Sequence, residues 1–399
     1  MKNILKIVFV LIGAIIGAGF ASGKEIYIFF FSYGLKGIAG IIISIALMGI
    51  IIYYSLNIIV KNRITTYKEF LNEIFYKNKN SKIKNIINII INIFIIISFY
   101  IMIAGFGAYF EEQFSINKII GSIVLAIICY LTLRKSTEGL IKMSQILVPI
   151  LILFIAIIGI LNILNIDFSN ITNYMIENNQ ANWLISAVLY SSYNSILLIP
   201  VLITLNKSIE KEKNIKYIAI ITTLIITILS ILLYFILTKV DVNINNLEMP
   251  AVYVISKMYP ALKIIYGLIL LASILTTAIS LGNSVIQNVQ INKNITNLVL
   301  CITAILVSNF GFSNLVNVLY PLFGYLGIIQ ILRICLHHKI NFNKNIEKKA
   351  KNWYNKYNKN RRKGWKIITI LASSNFAWNL INVQKVRLIN FKLVFLAKI

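Results

Sequence analysis

Long apolar runs separated by short polar stretches organise most of this chain. Ten runs are read, over residues 4–22, 37–60, 84–110, 117–134, 142–164, 182–205, 215–238, 261–287, 294–311 and 313–336. A helix of about 20 apolar residues crosses a ~30 Å hydrocarbon core. The short alternating segments of a membrane barrel are missing from the pattern. It predicts an all-α polytopic membrane protein of about ten transmembrane helices. The first run carries no small-residue cleavage site and is read as a span rather than a removable signal. Between runs seven and eight, Pro250 and Pro260 bracket "PAVYVISKMYP", which predicts a short re-entrant or surface helix on the outside. Domain organisation follows: a membrane domain over 1–339 and a tail over 340–399. The tail is basic, with interleaved aromatics, and is expected in the cytoplasm, partly on the membrane surface or disordered. Its apolar stretch "WKIITILASSNFAWNLINV" (365–383) suits a membrane surface better than a further span.

Composition excludes a soluble fold. Of 399 residues, 58% are hydrophobic and 13% charged, and mean hydropathy is +0.80. A net charge of +26 would point a soluble protein toward nucleic acid. Here the basic residues lie in alternate loops and the tail, so a membrane topology accounts for them and no nucleic-acid partner is expected. Lys61, Arg63, Lys68, Lys77 and Lys79 follow run two; Arg134 and Lys135 follow run four; Lys207, Lys211 and Lys213 follow run six. The loop after run five, "NIDFSNITNYMIENNQAN", holds acids and no lysine or arginine. The positive-inside rule then places both termini in the cytoplasm of a cell-membrane protein. Cys129, Cys301 and Cys335 lie in apolar segments without metal-ligand spacing, and the adjacent His337 and His338 do not share a helix face. Neither a nucleophile–base pair at bilayer depth nor a nucleotide-binding loop is read, so neither an enzyme nor an ATP-driven pump is expected. Oligomeric state is not legible.

The first run contains its own interruption. "LIGAIIGAGFASGKEIYIFF" (11–30) carries Gly13, Gly17, Gly19 and Gly23. The spacing of Gly13 with Gly17, and of Gly19 with Gly23, suits close helix packing. The small residues followed at once by Lys24 and Glu25 also suit an unwound segment, which lipid tolerates only beside protein or a cavity. Ten spans divide into repeats over about 1–165 and 180–337, which makes run six the counterpart of run one. Its centre, "YSSYNS" (190–195), is the most polar cluster inside any run, and a second break is expected there. Interhelical hydrogen bonding is the other reading of those hydroxyls.

"GAIIGAGFASGKE", "AGFGAYFEEQ" after Ile103 and "LLASILTTAISLGN" after Ile269 resemble motifs of the YkvI-type bacterial membrane proteins. The resemblance covers roughly residues 1–336. Lys24 stands where YkvI-type chains usually carry glutamine. The wider likeness is to LeuT-fold transporters of the amino acid–polyamine–cation superfamily. It implies two inverted five-helix repeats with helices one and six broken. Ser273, Thr276 and Thr277 share one helix face in run eight, although threonine commonly bonds back to its own helix. Matched to the LeuT-like pattern, the carbonyls of Gly13, Ile16 and Ser273 and the hydroxyls of Thr276 and Thr277 would hold a sodium ion. Phe20 stands where a second sodium would need asparagine, so no second ion is expected. Run five lacks the lysine that proton-coupled relatives use there.

The solute would lie between the two breaks. Exposed amides of Ala18 and Gly19, beside Gly17, favour a carboxylate. Gly105 and Gly107 would admit it, Tyr109 and Tyr193 would close over it, and Ser192 and Asn194 would line it. Glu25, Glu111 and Glu112 are expected at an outer mouth that concentrates cations, and they are the candidates should the coupling ion be a proton. These readings point to a cation-coupled symporter of an amino acid or similar small zwitterion. The alternative is a non-transporting receptor, as a germinant sensor might be, on the same fold.

Overall fold

Gly17 and Gly23 divide the first apolar run and the segment after it into three helices: α1 (Lys2–Ile15), α2 (Ala18–Ala21) and α3 (Lys24–Phe29). At the first break the Gly17 N–H turns to Ile15 O (3.0 Å), so Gly13 O loses its regular i+4 donor. At the second, Gly23 has φ +81°, a conformation that costs a side chain about 1–2 kcal/mol and glycine little. The computed structural model describes residues 2–75, 81–134, 138–164, 182–209, 211–240, 247–288 and 292–361. The loop after run five and the segment 365–383 lie outside the described residues. The chain divides into two units, Met1–His338 and Lys339–Ile399.

The described residues form no strand. After α3 come α4 (Leu35–Asn62), α5 (Tyr67–Ile74), α6 (Ser81–Phe114), α7 (Lys118–Leu133), α8 (Glu138–Leu164), α9 (Trp183–Thr204) and α10 (Asn214–Leu237). Then follow α11 (Pro250–Met258), α12 (Pro260–Asn288), α13 (Lys293–Ser308) and α14 (Phe312–Arg361). Seven of these helices contain segments long and apolar enough to cross a membrane, and α1, α7 and α13 are shorter apolar helices. Together they coincide in sequence with the ten expected runs, and α11 is the short helix expected after Pro250. Asn117, Asn182 and Asn292 begin α7, α9 and α13 by accepting backbone N–H groups at 2.9–3.0 Å.

One expectation fails. Run six is not broken: α9 is continuous α-helix from Trp183 to Thr204, through Tyr190–Ser195 and Pro200. Its polar centre bonds back within the helix. Ser192 donates to Val188 O (2.6 Å), Ser195 to Ser192 O (2.7 Å) and Asn194 to Tyr190 O (3.0 Å). Such local bonds satisfy hydroxyls without unwinding the backbone.

Packing pairs the helices in exchanged couples. α4 packs on α9 while α10 packs on α1, and α6 packs on α13 while α12 packs on α7. Swapping helix n with helix n+5 of the ten converts one couple into the other, as a five-and-five arrangement requires. The buried apolar residues form one continuous cluster, and polar residues including Lys24, Glu25, Asn194 and Gln330 are buried with them. Ile42, Ile120, Ile127, Leu153, Leu268 and Leu322 are exposed large apolar residues on the helix surfaces. Helices apolar on both inner and outer faces fit a lipid surround.

Candidate functional site

The break between α1 and α2 faces α12. Ser273 donates its hydroxyl to Ile16 O at 2.6 Å. Thr277 donates to Gly13 O (3.3 Å) and to Ser273 O (3.0 Å), and Thr276 donates to Ser273 O (2.9 Å). The five residues read from the sequence as one ion site therefore form a single hydrogen-bonded cluster. Its oxygens are all neutral: three carbonyls and two threonine hydroxyls, with Ser273 Oγ beside them. The C-terminal end of α1 adds the negative end of its dipole.

The residues read as lining a solute site separate into two sets. Gly17, Ala18, Gly19, Gly105 and Tyr193 gather around the break. A Cβ on Gly17 would stand 3.3 Å from Met102 Sδ, and one on Gly105 would stand 2.9 Å from Ala18 Cβ. Gly105 therefore lets α2 lie close against α6: the space expected to admit a solute holds Ala18 and the Phe312 ring. The other residues engage elsewhere. Gly107 faces Ser122 and the Lys118 carbonyl of α7, and the Tyr109 hydroxyl lies over Gly267 of α12. Ser192 and Asn194 bond back within α9, and Gly327 of α14 lies against the Ser192 carbonyl.

Glu25 is not at an exposed mouth. It is 3% exposed, and its Oε2 accepts the Tyr193 hydroxyl at 2.5 Å. Its Oε1 lies where a side chain on Gly19 would begin. The left-handed turn at Gly23 restarts the helix so that Glu25 returns toward the break. Tyr193 stacks between Phe29 (5.4 Å) and Tyr320 (4.6 Å), with Tyr190 edge-on at 5.4 Å.

Glu111 is exposed, whereas Glu112 is half-buried and holds backbone. Its carboxylate accepts Glu248 N (2.5 Å) and Met249 N (3.2 Å). Buried Lys24 donates to Leu247 O at 2.9 Å and interacts electrostatically with Glu248 and Glu112. Glu248 in turn accepts Ser313 N at 2.5 Å, at the start of α14. The segment 247–249 is thus a strap held by α3, α6 and α14. Sequence reasoning missed Tyr190, Tyr320, Phe29 and Glu248 as neighbours of the break. Two carry a local signal: Tyr190 opens the polar cluster of run six, and Tyr320 precedes Gly324 and Gly327, small residues that clear the way for α9.

No protein-family model matches the chain. It is 27% identical over 332 residues to the uncharacterized membrane protein YkvI of Bacillus subtilis (strain 168), covering 82% of this chain and 93% of YkvI. It is 22% identical over 339 residues to the uncharacterized protein YyaD of the same organism, covering 84% of this chain and 96% of YyaD. Among solved structures it resembles MhsT in complex with L-phenylalanine, with TM-score 0.59 and 15% identity over 83% of this chain and 88% of MhsT. It also resembles a Na+-coupled sialic acid symporter, with TM-score 0.56 and 14% identity over 84% of this chain and 78% of the symporter. A manganese transporter of Eremococcus coleocola gives TM-score 0.59 and 14% identity over 84% of this chain and 79% of the transporter. The resemblance to YkvI and the LeuT-like fold read from the sequence are both found. At these identities the solved structures establish the fold alone.

Proposed function

We propose that the protein is a cation-coupled secondary transporter that moves a small amino-acid-like solute by alternating access. The observation that carries this reading is the cluster of Gly13, Ile16, Ser273, Thr276 and Thr277 at the helix break. An all-oxygen, uncharged donor set at the end of an interrupted membrane helix suits a small hard cation such as sodium. Lone pairs of the two threonine hydroxyls and the freed carbonyl of Gly13 would turn to the ion. Binding would tie α1 to α12 and favour the state that accepts solute.

The names of the similar structures support this class. One is a Na+-coupled symporter, and another was solved with an amino acid bound. In this reading α6, α9 and the broken first helix surround the solute, and both termini are cytoplasmic. The test is uptake into proteoliposomes, with amino acids and organic cations offered under a sodium gradient or a pH gradient imposed separately. Sodium-driven uptake of an amino-acid-like solute is expected. Uptake that follows pH and ignores sodium would make the coupling ion a proton. Solute binding without flux would make the protein a receptor.

A further inference from the structure

Glu25 has no cationic partner among the described residues. It is buried, it receives one short hydrogen bond from Tyr193, and Lys24 beside it turns to the strap instead. A buried carboxylate at membrane depth is costly unless it is paired or discharged. The surroundings fit an organic cation. Tyr190, Tyr193 and Tyr320 all lie close enough to interact with the charge of Glu25. The Tyr190 hydroxyl is buried and meets no acceptor in good hydrogen-bond geometry. Phe29 completes a wall of rings, with Tyr193 stacked between it and Tyr320. Gly19, lacking a side chain, leaves the carboxylate pressed against the break itself.

We infer that Glu25 is the anion that receives the ammonium group of the transported solute, with Tyr193 positioning it and the neighbouring rings supplying cation–π contact. This rests on the transporter reading and narrows it. The place read from the sequence as the seat of a solute carboxylate is taken by a carboxylate of the protein. A free ammonium is then the group the site requires, and a carboxylate on the solute is optional. The five-oxygen cluster is a separate site, for the inorganic ion.

The test is a binding screen on the full chain in lipid nanodiscs, read by calorimetry and thermal shift. The probes are the proteinogenic amino acids, the primary amines formed by removing their carboxylates, and their N-acetyl derivatives. Binders are expected to carry a free ammonium group, and N-acetylation should abolish binding. E25Q should weaken the best binder about 30-fold or more, as loss of one member of a desolvated charge pair does. E25D and Tyr193→Phe should weaken it less, in that order of remaining charge and alignment, and they serve if E25Q does not fold. Wild-type affinity in E25Q, N-acetyl derivatives that bind as well as their parents, or no ammonium binder at all would overturn the inference. Flux of a solute without an ammonium group would overturn it while leaving the transporter reading standing. Ammonium binding through Glu25 without flux would do the reverse.

Discussion

The hydroxyl of Ser273 donates to the carbonyl of Ile16 at 2.6 Å, joining the middle of α12 to the residue that follows α1. Thr277 reaches Gly13, one turn earlier, from the same face. A helix end and a helix side are thereby held together by oxygens alone. An ion placed among them adds to that link in whichever conformation brings α1 and α12 together.

The double variant Thr276→Ala with Thr277→Val tests that link. Each lost hydroxyl bond is worth about 1 kcal/mol or less in a membrane protein, so folding should survive. A ligand shifts a conformational equilibrium only by its differential affinity for the two states. Removing the hydroxyls should flatten the dependence of solute affinity on sodium, and by reciprocity solute should promote sodium binding less. Affinity measured against sodium at fixed ionic strength and pH decides the matter. An unchanged dependence would remove the threonines from the ion site.

Gly23→Ala is expected to destabilise the protein by about 2 kcal/mol or more. Its φ of +81° disfavours a side chain, and the new Cβ would lie 3.0 Å from Ala251 Cβ and 3.1 Å from Leu237 Cδ2. Gly40→Ala is the control, because its Cβ would meet the edge of the Phe30 ring at 3.2 Å and Ala187 Cβ at an ordinary 3.8 Å, and the change gains helix propensity. Thermal unfolding followed by tryptophan fluorescence should show a clear drop in midpoint for the first and a small change for the second. Equal midpoints would mean that the turn at Gly23 is not held as described.

Much of this architecture is legible in the sequence. The apolar runs are long, their flanks basic, and Gly17 sits in the middle of one, so spans and first break follow from lipid physics. The oxygen cluster was legible because Ser273, Thr276 and Thr277 share a face and because the chain resembles proteins with such a site. The continuity of α9 was not. A serine that bonds back to Val188 and one that reaches across to a neighbour look alike in sequence. The burial of Glu25 was equally hidden. It depends on the direction of the chain after a single left-handed residue, and on Tyr193, 168 positions away.

Glu112→Ala should loosen the strap locally. It leaves Glu248 N and Met249 N without their acceptor, a loss of about 1–3 kcal/mol for buried donors. The far end stays fixed, because Ala251 N donates to Ser22 O at 2.8 Å. Hydrogen exchange should therefore accelerate at residues 248 and 249 and remain slow at 251. Uniform acceleration through α11 would show that the whole helix depends on Glu112, and no change would show that the strap is held by Lys24 and Ser313 alone.

On another face of the bundle, α5 is tied down through a chain of polar contacts. Tyr67 donates to Gln330 Oε1 at 2.5 Å, and the Gln330 amide lies 3.4 Å from Ser195 O on α9. His337 and Glu73 meet at 3.2 Å about two turns further along α14 and near the end of α5. α5 has only eight residues, too few to persist alone, so its order depends on these ties and on burying Tyr67, Phe70, Leu71 and Ile74. Tyr67→Phe keeps the ring and removes one hydroxyl, leaving Gln330 Oε1 buried without its donor at a cost of about 1–2 kcal/mol. Amide exchange across α5 should rise about tenfold, and exchange in α7, which makes none of these bonds, should not move. If the protein alternates between two open states, the variant should also favour the one in which α5 leaves α14. A cysteine placed at Ser195 should then react faster with a thiol reagent in the variant than in the Tyr67 background. Faster exchange in α5 with no change in that reactivity would make the contact a local brace, with no part in gating.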